Sequence, residues 1–232
     1  MNEQTPSTIG EMTDSGYLLR GKRLEDLAET TDLLSVVWLA WTGTLPTEAQ
    51  KTVLHACCIL CLDHGQEPPS AHVTRVTASC GKPLADSVAA GLLTIGPKHG
   101  NAGGAAARTF RQALEKKRTP ETLVQEALKT GERLPGFGHP VYTEDPRTRT
   151  LVKIAKQQLP QTLHTDFALA IAEALAAAKQ KPVPLNIDGA IGAVIADLGA
   201  PDALADAVFL WARTAGLVAH AMEASTLPDY LR

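Results

Sequence analysis

A few histidines and one aspartate, each set beside glycine or proline, are the residues of this chain whose types and spacing suit chemistry. The densest setting is Leu134-Pro-Gly-Phe-Gly-His-Pro-Val-Tyr-Thr-Glu-Asp-Pro146, followed at once by Arg147. Pro140 and Pro146 forbid a continuous helix here, because proline lacks a backbone donor and restricts the residue before it. Gly136 and Gly138 let the backbone approach a ligand closely or adopt positive φ. In such a turn His139 can donate to a carbonyl oxygen, and Arg147 can grip a carboxylate through two parallel bonds. An ordinary surface turn has the same composition, so this segment alone does not separate a site from a turn.

Gly96-Pro-Lys-His-Gly-Asn-Ala-Gly-Gly breaks an apolar stretch and leads into an alanine-rich one. Asn101 is the expected N-cap of the helix that follows. His99 then lies just ahead of a helix N-terminus, where the dipole disfavours imidazolium and keeps the ring a neutral donor. In Pro184-Leu-Asn-Ile-Asp-Gly, Asp188 opens another apolar helix. Aspartate in that setting is usually an N-cap. Desolvated by Leu185, Ile187 and Ile191, it is alternatively a poised base with a raised pKa.

Helices must position these groups. Apolar spacing and start signals predict helices over 24–28, 32–41, from 47 onward, 71–80, 84–93, 103–116, 120–130, 147–158, 165–179, 189–198 and 202–223. No alternating strand of useful length is predicted, and the polar start, 1–15, is expected to fray. The fold class read from pattern is all-α. His55, Cys57, Cys58, Cys61 and His64 crowd one stretch. Tetrahedral metal ligands normally converge from separate segments, so these cysteines are read as a buried helix face and no metal is expected. Disulfides are not expected in a reducing compartment.

The 232 residues suffice for a sizeable core, and a net charge of −3 gives no support to a nucleic-acid partner. The sequence shows neither a basic, apolar leader nor a run able to span a bilayer, so no membrane association and a cytoplasmic location are expected. Gly100-Asn-Ala-Gly-Gly is glycine-rich but lacks the strand–turn–helix context of a dinucleotide site.

His99 in Gly-Pro-Lys-His-Gly, His139 in Gly-Phe-Gly-His and Asp188 in Asn-Ile-Asp-Gly match the order and spacing of the catalytic trio of the citrate synthase superfamily. Residues 16–28, the Leu-Pro-Thr turn at 45–47, Asp63-His64 and the helix carrying Arg213 and His220 also resemble that family, so the likeness spans about 16–224. The resemblance is strongest to citryl-CoA lyases, including the C-terminal lyase module of ATP-citrate lyase. Synthases commonly carry an aromatic residue where Gly189 stands, and a basic residue where Pro140 stands. The chain is also short for a synthase, and the tail to Arg232 lacks the segment that in synthases sends an arginine into a neighbouring site.

The resemblance implies a large helical domain (1–102 and 200–232), a small lobe (103–199) and at least a homodimer. It implies cleavage of citryl-CoA to acetyl-CoA and oxaloacetate, with His99, His139 and Asp188 catalytic. His64, Arg147 and Arg213 are expected to bind substrate, with Arg149 in reserve for Arg147. Gly136, Phe137 and Gly138 are expected to lie against coenzyme A, which takes part as a thioester. The alternatives are a citrate or methylcitrate synthase, a transferase that also hydrolyses the thioester, and a non-catalytic module that senses coenzyme A or a dicarboxylate.

Overall fold

Helix signals in the sequence are strong enough that every predicted helix is present in the computed structural model, which describes residues 7–14 and 16–226. The chain divides into two compact units, Met1–His55 and Ala56–Arg232.

The first unit holds the feature that the pattern did not predict. β1 (Gly10–Thr13), β2 (Gly16–Leu19) and β3 (Lys22–Arg23) form an antiparallel sheet in the order β1-β2-β3. Met12 pairs with Tyr17 and Leu18 with Arg23. Arg20 and Gly21, at φ 50° and 76°, make the tight turn between β2 and β3, the double left-handed geometry that matches strand twist. Both Nε and a terminal nitrogen of Arg20 donate to the Ala40 carbonyl, at 3.0 and 2.8 Å. The expectation of a frayed start is thus corrected for residues 10–13; residues 1–6 and 15 lie outside the described ones. These strands are short and mostly exposed, so no apolar alternation marks them. α1 (Leu24–Thr30) and α2 (Leu33–Thr42) follow, the latter capped by Asp32, which accepts from the Ser35 N–H at 3.0 Å.

α3 (Glu48–Leu62) runs into the second unit. Its Cys57, Cys58 and Cys61 are buried and free, and His55 is exposed, as a core-facing stripe requires. Among the described residues no group of three or more His, Cys, Asp or Glu is arranged to hold a metal ion. α4 (Pro69–Ser79), α5 (Leu84–Leu92) and α11 (Ala203–Thr226) pack together around Ala71, Ala78, Val88, Leu217 and Ala221.

A second group comprises α6 (Gly103–Glu115), α7 (Pro120–Thr130), α8 (Pro146–Gln158), α9 (Leu163–Lys179) and α10 (Ile187–Asp197). α10 is its centre, packed on α6, α8 and α9, and α11 touches both α6 and α10. From 187 to 196 every residue of α10 is buried except Asp188, which keeps partial access. An all-round apolar helix belongs in a core, so a lone carboxylate at its start is set apart by packing itself. Among the described residues no helix is long and apolar enough to cross a membrane.

Candidate active site

The turn carrying His139 is organised by its own backbone. The N–H groups of Val141 and Tyr142 donate to His139 Nδ1, at 3.1 and 3.0 Å. Backbone amides can only donate, so the proton of the neutral ring sits on Nε2. That nitrogen lies 3.9 Å from Asp145 Oδ2, and burial holds the ring's pKa below its ordinary value, with the Arg147 charge acting the same way. The Tyr142 ring leans over the imidazole, with centroids 4.8 Å apart.

Asp145, which the sequence reading passed over, is fully buried and caps α8 by accepting from the Arg147 N–H at 3.0 Å. Its oxygens also accept Nε and NH2 of Arg147, at 3.1 and 2.8 Å, a two-point grip that aims the guanidinium. Burial opposes ionisation of Asp145, but the Arg147 bonds and charge outweigh it and bring its pKa below the usual value. Arg149, the reserve candidate, is exposed and 4.0 Å from Glu144. Arg147, by contrast, contributes to the electrostatics of Asp188.

Asp188 is joined to this turn by a short backbone zipper. Gly138 N–H donates to the Pro184 carbonyl at 2.7 Å, and Asn186 N–H to the Gly136 carbonyl at 3.0 Å. The Asn186 amide donates to the Gly138 carbonyl and its oxygen accepts from the Gly189 N–H, both at 3.0 Å. Asn186 is therefore the N-cap of α10, and Asp188 is left free of that duty. The zipper closes only because two glycines face each other. A Cβ on Gly136 would meet Gly189 Cα at 2.5 Å, and one on Gly189 would meet the Gly136 carbonyl oxygen at 2.4 Å. Gly138, at φ 93°, faces open space, whereas the Phe137 ring turns edge-on to Phe110, with centroids 6.0 Å apart. Burial pushes the Asp188 carboxyl up to about 6, with Arg147 pulling it down, Asp206 raising it and Arg213 opposing.

The other half of the site depends on distant partners. His99 Nε2 is 2.9 Å from the Ser70 hydroxyl and accepts from the Ser70 N–H at 3.4 Å. Its proton therefore sits on Nδ1. Burial, then the Arg213 charge, lowers its pKa, so the expected neutral donor is found with desolvation as the main cause. His64 is solvent-accessible at a ring-to-ring distance of 6.0 Å from His99. Desolvation, then the charges of Arg213 and Arg147, hold it well below the usual histidine value.

Arg213 is the most unusual group. It is fully buried on α11, its Nε donates to the Cys61 carbonyl at 3.1 Å, and Phe209 lies 5.2 Å from its carbon CZ. Both terminal nitrogens are buried, and among the described residues neither has a hydrogen-bond partner. Burial brings its pKa down to about 10. A buried guanidinium with two free forks costs stability until an anion meets it. Phe209 also stands edge-on to His99 at 6.4 Å.

One local expectation is corrected. Asn101 does not cap α6: the helix starts after Ala102 without a side-chain cap. Instead Asp206, from α11, accepts from the Gly104 N–H at 2.8 Å, and the Asn101 amide, with its nitrogen turned inward, donates to the same carboxylate at 3.1 Å. A remote carboxylate outcompetes the adjacent amide because it brings a full negative charge to the helix N-terminus. Ser70, Asp145, Asn186 and Phe209 were missed by sequence reasoning. Only Asp145 and Asn186 carried a readable signal, as cap residues just before a helix.

Comparison with known proteins gives the family and the fold. The family described as the citrate synthase C-terminal domain matches residues 48–230. The chain belongs to the citrate synthase family. This family member is similar to ATP-citrate synthase beta chain protein 2 of Arabidopsis thaliana, at 34% identity over 217 residues, 86% of this chain and 35% of the relative. It thus spans well under half the length of that relative. Among solved structures it is similar to citryl-CoA lyase from Hydrogenobacter thermophilus, with 36% identity and a TM-score of 0.91, covering 98% of this chain and 90% of the other. An ATP citrate lyase variant from Methanosaeta concilii, in complex with (3S)-citryl-CoA, gives 29% identity and a TM-score of 0.88, covering 96% and 39%. The fold of the family member is therefore citrate synthase-like and, among the described residues, all-α but for one small sheet.

Proposed function

We propose that this protein cleaves citryl-CoA to acetyl-CoA and oxaloacetate. The observation that carries this reading is the buried Arg213, whose two unpartnered terminal nitrogens suit a carboxylate, set in one site with neutral His99 and a carboxyl raised to about 6 at Asp188. Likeness to a citryl-CoA lyase over nearly the full length of both chains supports it.

Breaking the carbon–carbon bond leaves its electron pair on the acetyl-CoA fragment, where it spreads onto the thioester oxygen. His99 Nδ1–H stabilises that oxygen; one preorganised donor of this kind is worth about 3–4 kcal/mol. Protonated Asp188 then delivers a proton to the enol carbon, and in condensation its carboxylate removes one. His139 Nε2–H bonds the oxygen that is a hydroxyl in citryl-CoA and a carbonyl in oxaloacetate. The hydroxyl proton leaves to solvent as that carbonyl forms, and Asp188 takes one back from solvent before the next turnover, so no net proton is consumed. Arg147 and Arg213 hold carboxylates, and His64 adds a positioning bond. Coenzyme A lies against the backbone of Gly136, Phe137 and Gly138, where open space at Gly138 leaves room.

In the same reading residues 103–199 act as a small lobe that closes over substrate, and the working form is a cytoplasmic homodimer. Closure excludes water that would hydrolyse the thioester. The deciding experiment is a direct citryl-CoA cleavage assay with both products measured. Free coenzyme A released from acetyl-CoA and oxaloacetate would make the protein a synthase instead, and ligand binding without turnover would make it a sensor.

A further inference from the structure

Behind the His64 turn lies a chain of charged and polar groups with no part in the chemistry above. Arg75, on α4, is almost entirely buried. Its guanidinium donates to the carboxylate of Glu223 in a short contact and stands 3.3 Å from Nδ1 of His220. A guanidinium has no acceptor, so Nδ1 must accept and the ring proton must sit on Nε2. Nε2 is 2.8 Å from Asp63 Oδ1, to which it donates. The other Asp63 oxygen accepts from the Gly65 N–H at 3.0 Å, folding the chain around His64. Every bond in the series runs in one direction, from Arg75 through His220 to Asp63. The series ties α4, α11 and the turn after α3 together.

We infer that Arg75, His220 and Asp63, anchored by Glu223, form a one-directional hydrogen-bond relay that positions His64 for substrate, with His220 as the positioning residue that sets its polarity. The inference rests on the reading of His64 as a substrate-binding residue. Asp63 is partly exposed, and water alone would satisfy its carboxylate. What water cannot supply is a fixed orientation. The turn contains Gly65 at φ 96° and has no helix to hold it, so its conformation depends on both Asp63 oxygens being engaged. With Nδ1 committed to Arg75, His220 can engage Oδ1 in only one way, and Oδ2 remains for Gly65. A residue that merely filled space between α4 and α11 would have no reason to present one donor and one acceptor in that order.

The test uses the whole 232-residue chain and three variants: His220→Ala, His220→Gln and Glu223→Gln. Long-range proton–nitrogen correlation on the wild type should show His220 protonated on Nε2. His220→Ala should speed Gly65 amide exchange and weaken oxaloacetate binding, each roughly tenfold, as loss of one bond to a charged group entails. Its KM for citryl-CoA should rise more than its kcat falls. His220→Gln should recover most of the loss, because its amide nitrogen can still donate to Asp63.

Should His220→Ala fail to fold, Glu223→Gln, altered at the exposed end of the relay, should still speed Gly65 exchange about threefold. An Nδ1-protonated His220 would overturn the relay. So would exchange and affinity within about twofold of wild type in the alanine variant, or a glutamine variant as impaired as alanine. A wild-type protein that does not bind oxaloacetate would overturn the functional reading, while the tautomer and Gly65 exchange, measured without ligand, would still decide the relay.

Discussion

The two histidine donors of the site are built in opposite ways. His139 takes its tautomer from amides two and three residues along, and Asp145 and Arg147 complete that half within the same turn. His99 takes its tautomer from Ser70, 29 residues away, and Arg213 is steered by a carbonyl 152 residues away. The first half is a property of one peptide segment. The second exists only once α3, α4 and α11 have packed. A locally organised donor tolerates change elsewhere in the fold, whereas a donor held by remote partners is ordered only by the global fold.

The comparison breaks most sharply at the two proposed reacting groups, His99 in the remote half and Asp188, which the backbone bonds from 184–186 tie to the local turn. His99→Ala and Asp188→Asn should each lower citryl-CoA turnover by at least about two orders of magnitude, with neither variant destabilised enough to account for the loss. Turnover within a few-fold of normal would remove that residue from the chemistry. Asp188 adds a pH signature. In the proposed mechanism cleavage needs its acid form, so kcat should decline as pH rises through about 6, and the asparagine variant should lose that limb. For stability the sign is the same: a carboxyl raised on folding imposes no cost below its ordinary value and the full cost above about 6. Asp188→Asn should therefore gain about 1–3 kcal/mol over wild type at about pH 8, and little at about pH 4, in chemical denaturation.

Arg213→Met tests the remote half next. Losing a buried partner should weaken oxaloacetate about a hundredfold by calorimetry. The same change removes an uncompensated buried charge, so thermal stability should hold or rise. Strong destabilisation with unchanged affinity would make Arg213 a structural residue and erase the contrast. In the local half Asp145→Asn should cost about 1–3 kcal/mol, since it weakens both a helix cap and a charged grip on Arg147. If a melt detects no change, that turn is not held as described. The smallest effect is expected at Arg149→Ala, under about 0.5 kcal/mol and within about twofold in KM, because its ion pair with Glu144 is exposed. A large loss of affinity there would transfer the substrate role from Arg147 to Arg149.

Residues with local causes were legible without coordinates. Proline and glycine placed the ends of α4, α7 and α8, and apolar spacing marked every helix. The neutral state of His99 was expected from a helix dipole, but burial is its chief cause, and burial is a sum over neighbours that no motif displays. The small sheet went unseen because strands so short and exposed bury no alternating face.

By itself the sequence determined the helices, the breaks between them, and the placing of His99, His139 and Asp188 at those breaks. These follow from backbone restrictions and apolar periodicity, which act over a few residues. Only the tertiary structure decided that Asp206 replaces Asn101 at α6, and that Arg213, aimed by the remote Cys61 carbonyl, is buried with its terminal nitrogens unpaired among the described residues. Each is a competition between a nearby group and a distant one. The winner depends on which charges and carbonyls packing brings within 3 Å or so, a quantity set by the whole fold.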